Sequence, residues 1–303
     1  EKPSTTPNVK EVVLGSLLIK PWYPSFYPAE LVGHTVERLY VCPWCFKYSK
    51  ELLTFLGHAL IMLTQKVCPL RHSAPPGELI YTKDGYSMYR IDGEENKFYA
   101  QNLSLFAKLF LDTKSVFYDV NTFLYYLLVA HTPTPSINMN LPNEEGVPQQ
   151  QVVGFFSKER MSWDNNNLAC ILVFPPWQKQ GLGQILMGAS YEISKRERKF
   201  GGPEKPLSEP GRRGYQRYWS QAVARTLLAA PTKKTLTVLD IRNETYIDPE
   251  DIITTLQKMQ VLDHMKRAGS EAVINKAKLR VWVQANHVDL TPPVDKDGFV
   301  KME

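Results

Sequence analysis

Along the chain, apolar residues first come in short runs broken by turn-forming clusters, and later at three-to-four-residue spacing. Short runs predict strands, and the wider spacing predicts helices with one buried face. Residues 1–10 read as a polar tail. From residue 13 to about residue 80, strand-like pieces alternate with turns, and three of the four cysteines fall here. Residues 86–91 and 97–99 predict a hairpin turned at Asp92-Gly93. Leu103, Phe106, Ala107, Phe110 and Leu111 then share a helical face, and residues 116–120 and 123–129 return to strand character. Between residues 131 and 151 the chain is polar and carries Pro133, Pro135, Pro142 and Pro148, which predicts an exposed loop inserted between two strands.

The second half is read the same way. Residues 168–174 form an apolar, β-favouring run that predicts a buried strand, and Pro175-Pro176 ends it. Leu182, Ile185, Leu186, Ala189 and Ile193 follow at helical spacing. After Ser208, Tyr215, Tyr218, Trp219, Ala222 and Val223 mark one face of another helix. Asp248-Pro249-Glu250-Asp251 opens a helix reaching Val261, and a strand pair is expected near Ala272 and Val281. The whole predicts an α/β fold.

Composition narrows the class. With 303 residues, 43% of them hydrophobic, the chain can bury a large core, as one domain or as a core with lobes. No apolar run approaches the roughly 20 residues of a membrane span, and Glu1-Lys2-Pro3-Ser4 begins no secretory signal. Four cysteines without an even framework argue against a disulfide scaffold and for a nuclear or cytosolic setting. A net charge of +5 suits an anionic partner but is too small to specify one.

The densest chemistry lies where the 168–174 run meets the next helix, at Gln178-Lys179-Gln180-Gly181-Leu182-Gly183. Glycines here let bare N–H groups approach a ligand at a helix N-terminus, where the dipole also favours negative charge. A nucleoside-triphosphate loop would need Gly-Lys-Ser/Thr, which is absent, and a dinucleotide loop would need a third glycine where Leu186 stands. Gln-x-x-Gly-x-Gly instead resembles the acyl-CoA pyrophosphate loop of the N-acetyltransferase superfamily. The flanks sharpen this. Asn167-Leu168-Ala169-Cys170, Gly202-Pro203-Glu204-Lys205-Pro206-Leu207-Ser208 and Tyr218-Trp219-Ser220-Gln221 occur in order, and Leu109-Phe110-Leu111-Asp112 and Gly154-Phe155-Phe156-Ser157-Lys158 lie upstream of them. Together they resemble the catalytic core of the MYST-family histone acetyltransferases, over roughly residues 8–282, and their wording looks nearest the fungal silencing-type subgroup.

That resemblance implies an N-acetyltransferase-like α/β core at residues 86–208, carrying the inserted loop. An N-terminal zinc-finger lobe would occupy 11–85 and a C-terminal helix-turn-helix-like lobe 209–303. It implies transfer of acetyl from acetyl-CoA to a lysine ε-amine in a histone tail, histone four favoured. The setting would be the nucleus, with nucleosomes and accessory chromatin subunits as partners, and neither membrane binding nor sequence-specific DNA reading is expected. Ala169, Cys170, Ile171, Leu172 and Val173 would lie against the acetyl and pantetheine arm. Gln178, Lys179, Gln180, Gly181, Leu182, Gly183 and Gln184 would hold the pyrophosphate. The family usually has arginine where Lys179 stands and often a basic residue in place of Gln180, so the bidentate fork is lost. A chromatin-binding subunit of the same fold with weak catalysis, or an acetyltransferase of other substrates, is the alternative.

Individual residues carry two readings each. Cys170 is a small core hydrophobe on its face, and by resemblance the active-site cysteine; a thiolate would need its pKa lowered from about 8.5. Glu204 reads as an ordinary loop carboxylate and, by resemblance, as the family's general base. A substrate lysine, with a pKa of about 10.4, is protonated at neutral pH and cannot attack until its proton is removed, and burial would suit a glutamate to accept it. Ser208 is a good helix N-cap and, by resemblance, a contact to the coenzyme. Lys108 reads as a solvated lysine and, by resemblance, as a site of autoacetylation. Cys42-Pro43-Trp44-Cys45, twelve residues, then His58 has zinc-finger spacing. The family's fourth ligand follows after about three residues, whereas nine separate His58 from Cys68, with 60–65 resembling an insertion. Cys42, Cys45, His58 and Cys68 are the expected ligands of a structural zinc, with His72 an alternative to His58.

Overall fold

The computed structural model describes residues 7–59, 67–71, 73–131, 150–231, 236–263 and 273–300. His72, the 60–65 stretch, most of the proline-rich 131–151 loop and Ala272 lie outside them. The chain divides into two compact units, one of residues 1–161, 170–182 and 297–303, the other of 162–169 and 183–296. Among the described residues no helix is long and apolar enough to cross a membrane.

The first unit holds two sheets. Strands β1 (Val9–Leu14), β2 (Leu17–Ile19), β3 (Val36–Val41) and β4 (Tyr48–Ser49) form one in the order β2-β1-β3-β4, with β1 parallel to β3. Short helices α1 (Ala29–Val32) and α2 (Leu52–Ala59) flank these strands in sequence. The second sheet is an antiparallel meander of β5 (Glu78–Lys83), β6 (Tyr86–Asp92), β7 (Phe123–Ala130), β8 (Gln151–Glu159) and β9 (Cys170–Val173). Strands β7 and β8 are central and largely buried, which is why they read as nearly unbroken apolar runs. Helix α3 (Lys97–Lys108) buries Leu103 through Lys108, and Phe106 packs with Phe46, Phe110 and Phe174 at ring separations of 5.6, 5.4 and 5.0 Å.

Three sequence expectations are corrected here. The hairpin is β5 with β6, turned at Asp84-Gly85, where φ values of 50° and 80° match the tight turn that suits twisted strands. Asp92-Gly93 instead leads into α3, so residues 97–99 are helical: an Asp92 carboxylate oxygen accepts from the Glu94 amide at 2.8 Å. A Cβ on Gly93 would sit 2.1 Å from the Val120 carbonyl oxygen, so backbone crowds that turn. Residues 116–120 form no strand and lead into a short 3-10 turn, Val120–Thr122, before β7. Finally, the predicted buried strand over 168–174 is the shorter β9, whose described ladder partner is β8 alone; Leu172 is buried and its strand neighbours are half-buried. It is an edge strand with one side of its backbone unladdered.

The second unit is mostly helical, with α4 (Leu182–Glu197), α5 (Glu209–Ala229), α6 (Val238–Thr245), α7 (Pro249–Met259) and α8 (Lys276–Ala285). Ser208 caps α5 as expected, its Oγ accepting from the Gly211 amide at 3.2 Å, with Pro210 in the first turn. Tyr191 and Tyr218 stack at 5.1 Å, and the Trp219 indole donates to the Tyr191 hydroxyl at 2.9 Å, which fastens α4 to α5. A two-stranded pairing, β10 (Leu262–Asp263) with β11 (Val273–Ile274), precedes α8. Val281 therefore lies in a helix, not in the expected strand pair.

Candidate functional site

The expected metal ligands converge. Cys42 and Cys45 occupy the turn between β3 and β4, where the Phe46 amide donates to the Cys42 carbonyl at 3.0 Å and Phe46 takes a φ of 58°. His58 closes α2, and the Cys68 amide donates to the His58 carbonyl at 2.8 Å, which brings the chain back to the site after the long gap. The four ligand atoms all lie within 4.8 Å of one another, with Cys45 Sγ 3.2 Å from His58 Nε2, and all the thiols are free. Tetrahedral zinc with Zn–S near 2.3 Å would set its sulfurs about 3.8 Å apart, so the cluster needs little closure to fit. Its protons are shared unevenly: hydrogen bonds with Cys45 and then Cys68 raise the Cys42 thiol, so zinc would displace protons from the cluster as it binds. Hydrogen bonds with Cys42 and then Cys45 hold the Cys68 thiol well below the ordinary range, and hydrogen bonds with Cys45 and Cys68 raise His58 to about 9. Three soft sulfurs and one imidazole form a closed Cys₃His zinc site with no position left for catalysis.

The strand and glycine loop form an open surface. On β9, Cys170 is half-buried and sits opposite Ser157 of β8, which in turn sits opposite Tyr125 of β7. Directly opposed residues share a sheet face, so the thiol, the Ser157 hydroxyl and the Tyr125 phenol line one surface. Ser157 Oγ is buried there with no hydrogen-bond partner in the described structure. Beyond Val173, the Gln178 side-chain amide donates to the Val173 carbonyl at 2.9 Å and ties the loop to the strand end. Lys179 and Gly181 take φ values of 64° and 82°, while Gly183 lies in the first turn of α4. A Cβ at 181 or at 183 would meet nothing within 4 Å, so the glycines border empty space that a ligand's phosphates could enter. Gln184 donates to the Gly214 carbonyl at 3.1 Å.

Glu204 belongs to the second unit. Its amide donates to the Leu168 carbonyl at 2.9 Å, and Pro203 bridges to Leu168 in parallel, so two backbone contacts hold the segment. Glu204 is exposed, against the expectation of a buried base. Ser208 is exposed as well, its hydroxyl engaged in the cap.

Lys108 is the reverse case. Far from solvated, it is 5% exposed, and its ammonium donates to the Leu111 and Asp112 carbonyls at 3.2 and 2.8 Å and lies 6.0 Å from the rings of Tyr23 and Phe26. Burial lowers its pKa, and Asp112 partly opposes that. Two carboxylates whose local sequence signals only a helix start also matter. Asp248 and Asp251 crowd Gly202, and Asp251 accepts from Lys205 at 2.9 Å. Their one sequence signal was the Asp-Pro-Glu-Asp string, which points to a helix N-terminus and not to residue 202.

Comparison with known proteins adds the lineage. The profile described as the MOZ/SAS family matches residues 74–297, and that of the MYST family zinc finger domain matches residues 6–60. Cys68 falls between the two matches, so its place in the zinc site rests on the structure. A Caenorhabditis elegans protein described as a histone acetyltransferase Tip60 homolog is 41% identical over 270 residues, 88% of this chain and 53% of that protein. The Schizosaccharomyces pombe histone acetyltransferase mst1 is 37% identical over 86% of this chain and 50% of its own length. The Arabidopsis thaliana histone acetyltransferase of the MYST family 1 is also 37% identical, over 86% and 52%. This chain thus spans about half the length of these relatives. Such matches support the family as a whole and not specifically a fungal silencing-type subgroup.

Proposed function

The chain belongs to the MOZ/SAS family, and from that premise we propose that it transfers acetyl from acetyl-CoA to the ε-amine of a histone-tail lysine, histone four favoured. The observation that carries this reading is the open glycine turn at the end of an edge strand, with unfilled space at both Gly181 and Gly183. Acetyl-CoA supplies the acetyl group as a thioester. The unladdered backbone edge of residues 169–173 would take the acetyl and pantetheine arm. Residues 178–184 would take the pyrophosphate on bare amides, with Lys179 as the cation beside it, and Ser208 would add a hydroxyl contact.

Glu204 acts as general base in this scheme. It accepts the proton of the substrate ammonium, the freed amine attacks the thioester carbonyl, and as the C–S bond breaks the departing coenzyme A thiolate takes up the second proton that the nitrogen loses. Cys170 lines the acetyl position on the face it shares with Ser157. Lys108 is the proposed autoacetylation site. Its ammonium is already depressed in pKa by burial, which raises the fraction of neutral, nucleophilic amine. Zinc has no part in the chemistry and serves to fold the lobe around Cys42 and Cys68. The reading implies action in the nucleus, with histones and accessory chromatin subunits as partners.

Lys179 and Gln180 favour one competing reading, a chromatin-binding subunit with weakened coenzyme affinity, because a single flexible ammonium replaces the family's basic pair. The deciding experiment is labelled acetyl transfer to histone octamers, to a free polyamine and to no acceptor. Label on histone lysines, lost in Glu204→Gln, is the expected result. Equal labelling of polyamine would move the substrate class, and tight histone binding without transfer would favour the non-catalytic reading.

A further inference from the structure

The segment that carries Glu204 is gripped on both sides of that residue. On its N-terminal side there is no room for side chains: a Cβ on Gly201 would lie 1.7 Å from the Asn165 carbonyl oxygen, and one on Gly202 would lie 2.8 Å from Asp248 Oδ2 and 3.6 Å from Asp251 Oδ2. The Asn167 amide donates to the Gly202 carbonyl at 2.8 Å, and the Glu204 amide donates to Leu168 at 2.9 Å. These bonds fix the backbone up to Glu204 from one direction. From the other, Lys205 Nζ donates to Asp251 Oδ1 at 2.9 Å, in a pair whose carboxylate side chain is 10% exposed and whose ammonium is 49% exposed.

Asp251 lies in the first turn of α7, a helix anchored by buried Ile252, Thr255 and Leu256, so the acceptor is on a rigid element. Its second oxygen is buried without a hydrogen-bond partner in the described structure, which leaves Lys205 as the partner shown for this carboxylate. A buried carboxylate that loses its cation is left uncompensated, so the pair resists opening. A residue whose own amide and whose neighbour's side chain are both tethered can swing its carboxylate only about its own side-chain torsions.

We infer that Asp251, acting through Lys205, is a positioning residue for Glu204. The inference rests on the reading of Glu204 as the general base. A displacement on the order of 1 Å at a reacting group can cost up to about 10²-fold in rate, so loss of this tether should be visible in kcat while leaving the coenzyme loop untouched.

The test is steady-state kinetics on histone substrate, with thermal melts, for Asp251→Asn, Lys205→Met and Lys205→Arg, singly and in the Glu204→Gln background. Asp251→Asn and Lys205→Met should each lower kcat about 10-fold with the KM for acetyl-CoA unchanged, and the double variant should be no slower than either single. Lys205→Arg, which keeps the pair, should recover most of the rate. None of the three should slow Glu204→Gln further. Lys205 is half-exposed, so Lys205→Met tests the tether even if Asp251→Asn does not fold. Wild-type kcat in Lys205→Met, or losses that multiply in the double variant, would overturn the inference while Glu204 stays the base. Wild-type kcat in Glu204→Gln would instead remove the base reading, and the positioning role with it.

Discussion

Replacing Cys68 by serine should empty the zinc site and unfold the lobe it closes. Cys68 is the ligand that neither family match reaches, and the structure brings it within 4.8 Å of the other three donor atoms through its amide bond to His58. Structural zinc contributes about 10–16 kcal/mol of apparent binding free energy in small zinc domains, comparable with the roughly 5–15 kcal/mol that stabilises a whole domain. The local core here is thin: among the ligand-bearing turn and helix, Phe46, Phe55 and Ala59 are buried, whereas Leu52 and Leu53 are 46% and 74% exposed. Loss of the metal therefore exceeds what this packing can absorb. Metal analysis should find one zinc per wild-type chain and close to none in Cys68→Ser. Hydrogen exchange should show the amides of Cys42, Phe46 and Cys68 deprotected, since they donate to the Lys47, Cys42 and His58 carbonyls of the ligand-bearing segments. His72→Ala should keep its zinc. A Cys68→Ser protein with full zinc and unchanged amide protection, or zinc lost in His72→Ala, would refute the assignment.

Glu204→Gln should lower kcat by about 10²-fold at neutral pH, and the rate should recover as pH rises toward the substrate amine's own pKa; a flat ratio to wild type from pH 6 to 9 would exclude the proton-acceptor role. Gly181→Val and Gly183→Val should each raise the KM for acetyl-CoA far more than that for histone peptide. Gly181→Val should also cost stability because its φ is 82°, whereas Gly183 lies in α4. Calorimetry that finds wild-type coenzyme affinity in folded Gly183→Val would detach the coenzyme from this loop. Asp248 has its pKa raised, first by burial and then by Asp251, so its ionisation works against the fold. Its contribution is present below about pH 3.8 and is lost as pH rises through the folded value. Asp248→Asn should accordingly raise Tm at pH 7 relative to wild type, and a lower Tm at that pH with no change at pH 3 would contradict the sign.

Features that depend on neighbours along the chain are readable without the fold. The cap at Ser208, the break at Pro175-Pro176 and the glycine turn before α4 need only a few consecutive residues, and all were legible. So were the donor types of the metal site, because sulfur and imidazole at finger spacing have few other uses. Tertiary structure decided the rest. Asp84-Gly85 and Asp92-Gly93 carry the same local turn signal; pairing of β6 with β7 from Tyr86 to Asp92 leaves the second pair at the strand's end, where the chain enters a helix. The length of β9 was set by the extent of its one ladder with β8, not by the longer apolar run. Lys108 looked solvated because burial of an ammonium depends on carbonyls and rings that folding brings to it, Tyr23 and Phe26 among them. Lys205 and Asp251 are 46 positions apart, and neither has a local pattern that names the other. Periodicity reports which faces are apolar; which buried charge meets which partner is a property of the packed chain, since only there does desolvation make an unpaired charge costly.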